Sequence, residues 1–145
     1  MPFVVVGTVH TIAGGLVAAV SRPTDFGRGP WLAAYLVLVG GVGQIGLGAS
    51  QALLGGGVPS RDIVRVEVVS WNVGLLGVVT GTLLSSPLLT TCGSAATALA
   101  LALFIRGARA PGRMAPLARG VFLALAITLL VSTPIGVVLA WVRHG

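Results

Sequence analysis

The sequence predicts an all-α polytopic integral membrane protein, with about five transmembrane helices in a compact bundle. Three observations carry this. Of the 145 residues 55% are hydrophobic and only 8% are charged, against about 25% in an average soluble domain, so too few polar residues remain to coat a soluble fold. Mean hydropathy is +1.02. The apolar residues also fall into runs of roughly 18–26 residues, the length a helix needs to cross the hydrocarbon core. The period-two alternation of a barrel strand is absent, and the runs far exceed the roughly 10 residues such a strand needs.

The whole chain, 1–145, reads as a single membrane domain. The first run covers about 3–20. Met1-Pro2-Phe3 offers no basic residue ahead of it, so it is expected as a retained helix and not as a cleaved signal peptide. A polar turn, Ser21 to Gly29, leads to the second run, about 31–54, which opens on Pro30-Trp31. The stretch from Gly55 to Asp62 breaks it. The third run covers about 63–84, and the short Ser85-Ser86-Pro87 turn makes the fourth, about 88–105, its antiparallel neighbour. A basic loop with Arg106, Arg109, Arg113 and Arg119 precedes the fifth, about 117–142. Trp31 and Trp141 stand at run ends, where indoles favour the membrane interface.

The net charge of +6 comes from nine arginines and no lysine. The arginines sit in short gaps between apolar runs, which suits topology and lipid headgroups and not nucleic acid. With the N-terminus in the cytoplasm, Arg61, Arg65, Arg106, Arg109, Arg113 and Arg119 lie on that side, and Arg22, Arg28 and Arg143 on the other. The excess favours a multi-pass protein of the cell (inner or plasma) membrane, with its N-terminus cytoplasmic and its C-terminus outside. Cys92 stands alone, which excludes an internal disulfide and a cysteine-based metal site.

Small residues mark the faces on which helices approach closely in lipid. Ser70, Gly74, Gly77 and Gly81 share one face of the third run. Ser94, Ala98 and Ala102 do so in the fourth, and Ala124, Thr128, Ser132 and Gly136 in the fifth. Such a face serves either internal packing or a homo-oligomer interface. Pro134 is expected to kink the fifth helix and free a carbonyl that Thr133 or a neighbouring helix satisfies.

Ionisable and amide side chains at membrane depth are the candidate functional residues. They are His10, Gln44, Gln51, Glu67 and Asn72. At about 1.5 Å per residue, His10 lies roughly 10 Å and Glu67 roughly 7 Å from the side where the chain starts. Gln51 and Gln44 lie roughly 5 and 15 Å from that same side. All fall in one leaflet, which permits a polar intramembrane pocket among the first three helices. Bland alternatives stand beside it: Glu67 snorkelling to the headgroups or meeting Arg65 or Arg61, and His10 bonded to a carbonyl or to Gln44. Trp71, in mid-helix, reads as packing. No HExxH, GxSxG or Walker A motif is present, and the glycine-rich 40–46 stretch lies inside an apolar run, so no enzyme chemistry is expected.

Val9-His10-Thr11 followed by Gly14-Gly15 resembles the helix that supplies a low-spin haem ligand in subunit I of haem–copper oxidases and nitric-oxide reductases, where His-Thr or His-x-His precedes a glycine. The resemblance covers about a dozen residues. It implies that His10 is an axial ligand to haem b. The family's other histidines, including those for copper and the second haem, have no counterparts here. The expected function is an accessory or structural subunit, or a haem-binding bundle, of a membrane redox complex. A small-solute or proton transporter or channel acting as a homo-oligomer is the alternative. The expected partners are the lipid bilayer and either further copies of the chain or a larger membrane complex.

Overall fold

The computed structural model describes residues 2–54, 60–108 and 116–144. The chain is all-α, about 90% helical, with no strand among the described residues. The elements are α1 (Pro2–Ser21), α2 (Gly29–Tyr35), a π-helical stretch (Leu36–Gly43), α3 (Gln44–Leu54), α4 (Arg61–Leu83), α5 (Pro87–Ala108) and α6 (Pro116–His144). The segments Pro2–Ser21, Gly29–Ser50, Arg61–Leu83 and Pro87–Arg106 are long and apolar enough to cross a membrane, and α6 carries the apolar stretch Phe122–Ile135. Val5, Val9, Ile12 and Leu16 on α1 are exposed, as are Val66, Val69, Val73 and Leu76 on α4. Such continuous apolar faces are stable against lipid and not against water. The protein is a polytopic membrane protein. The 55–59 and 109–115 stretches, with Arg109 and Arg113, lie outside the described residues, as do the side chains of Arg119, Ser132, Gly136, Arg143 and His144.

Two compact units make up the chain, Met1–Ala49 and Ser50–Gly145. In the first, α1 runs antiparallel to the second span, and the contact is built from missing side chains. A Cβ on Gly7 would sit 3.1 Å from the Gly41 carbonyl oxygen, and one on Gly14 2.9 Å from that of Ala33. One on Gly41 would strike the Thr11 hydroxyl, and one on Gly29 would strike Ser21. Gly7, Thr11, Gly14 and Ser21 form a single stripe of α1, so small residues line the seam from end to end. The first unit therefore shares with the second a backbone-to-backbone approach that larger residues would forbid.

In the second unit α4 and α5 form the tightest pair. A Cβ on Gly77 would lie 2.7 Å from the Gly93 Cα, and one on Gly74 2.6 Å from the Thr97 amide nitrogen. One on Gly81 would overlap the Thr90 backbone. The glycine stripe of α4 thus packs inside its own chain. Its counterpart on α5 is Thr90, Gly93 and Thr97. Ser94 is buried, but Ala98 is only half-buried and Ala102 is exposed, so the expected Ser94–Ala98–Ala102 face is not the one α4 meets. The threonines serve because each hydroxyl donates back along its own helix, Thr90 to the Ser86 carbonyl at 3.1 Å and Thr97 to that of Gly93 at 3.1 Å. Neither threonine then leaves its donor unpaired at the seam. Deeper along the same pair Trp71 meets Phe104 edge to face, with ring centroids 6.4 Å apart.

The two helix hairpins close in the same way. Asp25 and Ser85 take left-handed conformations, with φ of 51° and 54°. In the first turn the Phe26 N–H bonds the Ser21 carbonyl at 2.9 Å and the Asp25 N–H that of Arg22 at 3.2 Å. In the second the Ser86 N–H bonds the Gly81 carbonyl at 2.7 Å and the Ser85 N–H that of Thr82 at 3.3 Å. This 6→1 and 5→2 pairing is the Schellman motif, which absorbs the last carbonyls of a helix. Ser86 then starts α5, accepting the Leu89 N–H on its hydroxyl at 3.5 Å, and Pro87 takes the first helical position, where an amide would go unused.

On α6, Ala124 and Thr128 are exposed while Phe122 and Ala126 are buried, so the contact face lies off the expected small-residue stripe. Thr133 donates to the Leu129 carbonyl at 2.9 Å, one residue before the carbonyl that Pro134 deprives of its amide. Trp141 anchors the helix by donating its indole N–H to the Thr91 hydroxyl of α5 at 3.1 Å.

Gly77→Ala and Gly93→Ala are each expected to lower thermal stability in detergent, by about 1–3 kcal/mol from overpacking. Gly46→Ala, where an added Cβ meets nothing within 4 Å, is expected to be neutral or stabilising by up to about 1 kcal/mol, since alanine is the better helix former. Circular dichroism melts of the three variants check this.

Candidate intramembrane polar site

Most polar side chains at membrane depth are closed onto their own helix. The Thr8 hydroxyl donates to the Val4 carbonyl at 2.8 Å, Thr11 to that of Gly7 at 3.0 Å, and Ser70 to that of Val66 at 2.5 Å. Each bond spans four residues, the geometry by which a short side chain reaches the previous turn. In a medium without water this removes the cost of a bare donor.

Two of the five candidate residues follow that rule. His10 Nδ1 stands 3.0 Å from the Val6 carbonyl oxygen. A carbonyl only accepts, so Nδ1 carries a proton and donates it there. The ring is half-buried, and Nε2 has no partner among the described residues. Asn72 is half-buried and donates through Nδ2 to the Val68 carbonyl at 2.7 Å.

Two others are fully buried. Gln44, where the π-helical stretch gives way to α3, is 0% exposed, and neither its Nε2 nor its Oε1 has a hydrogen-bond partner. It follows the glycine stretch, in which Gly40, Gly41 and Gly43 are all buried. Glu67 on α4 is likewise 0% exposed. It neither snorkels nor lies at a helix end. Arg65 instead meets Asp62, at 3.8 Å and with side chains 78% and 90% exposed, a pairing worth little in solvent. Trp71 lies one turn beyond Glu67 on the same face of α4. It packs as expected, but its buried indole Nε1 is unpartnered, and nothing in the sequence distinguished this group from a satisfied one. The side chain of Gln51 lies outside the described residues.

His10 and Gln44 belong to the first unit, and Gln51, Glu67 and Asn72 to the second. Within the first unit His10 bonds the backbone and not Gln44. Among the described residues no group of three His, Cys, Asp or Glu side chains could hold a metal ion. The π-helical widening at Leu36–Gly43 was not anticipated from sequence. Such widenings favour functional sites, and a run of three glycines within eight residues was the available signal.

Glu67→Ala is expected to cost about 2–4 kcal/mol, because it empties a fully buried polar position. Asp62→Ala, at an exposed pair and a helix start, should cost less than about 1 kcal/mol. Melts followed by tryptophan fluorescence would measure both, and equal losses would mean that Glu67 is not the buried group described.

No protein-family model, curated protein or solved structure matches the chain, so the reading of the site rests on its own geometry.

Proposed function

We propose that the chain is a small multi-pass protein of the cell membrane with no enzyme chemistry of its own, acting as an accessory subunit that holds haem b in a membrane redox complex. The observation that carries this is the state of His10. Its Nδ1–H is taken by the Val6 carbonyl, which orients the ring and leaves Nε2 available in an apolar span. Metal-ligating histidines are commonly prepared in this way. One axial position is thereby supplied. The second would come from another copy of the chain or from another subunit. A bound haem would contribute one-electron chemistry, while the protein would contribute ligation and an apolar surround. The arginine distribution supports an N-terminus in the cytoplasm and a C-terminus outside.

A second reading has a specific observation behind it. Glu67 is an ionisable group fully buried in a membrane-length helix. Residues of this kind mark proton or solute paths, here in a homo-oligomer, because one short chain offers few helices to enclose a path.

The ultraviolet–visible spectrum of the detergent-purified protein, from cells supplied with haem, separates the readings. The first predicts a Soret band that sharpens on dithionite reduction and is lost in His10→Ala while expression persists. A featureless spectrum in the wild type would remove it. The second predicts that Glu67→Gln, and not His10→Ala, abolishes proton uptake into proteoliposomes.

A further inference from the structure

We propose that Gln44 is the hydrogen-bonding group of a small buried binding site in the first unit. The site would take an uncharged molecule that carries both a donor and an acceptor, water being the smallest member of that class.

Gln44 is an exception among the polar side chains of its unit. His10, Thr8 and Thr11 of the same unit each hydrogen-bond the preceding turn of their own helix. The Gln44 amide is 0% exposed, yet among the described residues neither of its polar atoms has a partner. A buried amide left bare loses its hydration at both ends and regains nothing, so such groups are almost always satisfied by protein or by a small bound molecule.

The surroundings explain why no side chain does so here. A helical side chain leans back over the turn before it. For Gln44 that turn is the π-helical stretch, whose buried Gly40 and Gly41 offer backbone and no side chain. The π geometry widens the helix at the same place. Thr11, packed against Gly41, has committed its hydroxyl proton to the Gly7 carbonyl and has none to donate to the Gln44 oxygen.

The chemistry of the occupant follows from the donor set. The amide presents one acceptor oxygen and a two-proton donor side by side. It is neutral, and residues 29–49 contain no charged side chain. A charged occupant would therefore be buried without a counter-charge there. A hydroxyl, an amide or water fits. Solvent water and an organic solute are the two sources.

The chain contains two glutamines, so labelling with side-chain 15N-glutamine in a Gln51→Met background leaves one signal. Solid-state NMR of the full chain in liposomes then reads the neighbours of the Gln44 NH2 group. Transfer from protons at the water frequency would support the site with water in it. Transfer from carbon-bound protons of a non-protein molecule would support it with a solute. Contacts to protein protons alone would overturn it. Stability gives an independent readout. Gln44→Met should lower the unfolding midpoint by a few degrees, because the occupant loses its partner. A raised midpoint, the relief of a bare amide, would contradict the proposal.

Discussion

The approach of Gly77 to Gly93, close enough that either Cβ would collide with the other backbone, is the contact from which the second unit is organised. In lipid the hydrophobic effect supplies little force between helices, and association relies on dispersion contact over the length of a seam. That contact forms only where side chains are absent or fold back. The α4 glycines do the first and the α5 threonines do the second. The first unit repeats the arrangement with Gly7, Gly14 and Gly41. The hairpin turns are consequences of the same demand. Two helices held this close need short connections, and the Schellman closures at Asp25 and Ser85 supply them while consuming the free carbonyls.

The second constraint is the absence of water. Hydroxyls at Thr8, Thr11, Ser70, Thr90 and Thr97 bond the carbonyl four residues back, and His10 and Asn72 do the same with nitrogen. Against so consistent a background, the buried groups outside it acquire meaning. Gln44 and the Trp71 indole are buried with polar atoms that have no partner among the described residues, and Glu67 is fully buried. His10 obeys the rule with one nitrogen and so keeps the other available.

Much of the architecture was legible in the sequence because the bilayer imposes it. Helix length follows from membrane thickness, and the apolar runs end where Ser21, Ser60 and Ser86 begin turns or cap helices. The Gly74–Gly77–Gly81 stripe was legible too, since spacing alone places it on one face. Its role inside the chain was not, because a stripe carries no record of what covers it. The face of α5 that meets the glycines holds Thr90, Gly93 and Thr97, which small-residue spacing alone does not single out. Threonine counts as polar until its hydroxyl is seen to fold back, as at Thr97. The two left-handed residues were hidden for a similar reason: glycine is the usual signal at such positions, and Asp25 and Ser85 stand there instead. Candidate site residues could be named from depth, but whether each finds a partner depends on helix rotation and on the π-helical widening, neither of which the periodicity reports.

α4 and α5 meet within one chain through the glycine stripe. The direct test is cross-linking of Trp71→Cys with Phe104→Cys by a short bismaleimide in native membranes, with Cys92→Ser removing the chain's own thiol. An internal cross-link in a chain that still migrates as a monomer is expected, since these two side chains face each other across α4 and α5. A covalent dimer with no internal cross-link would contradict it and make the stripe an interface between copies.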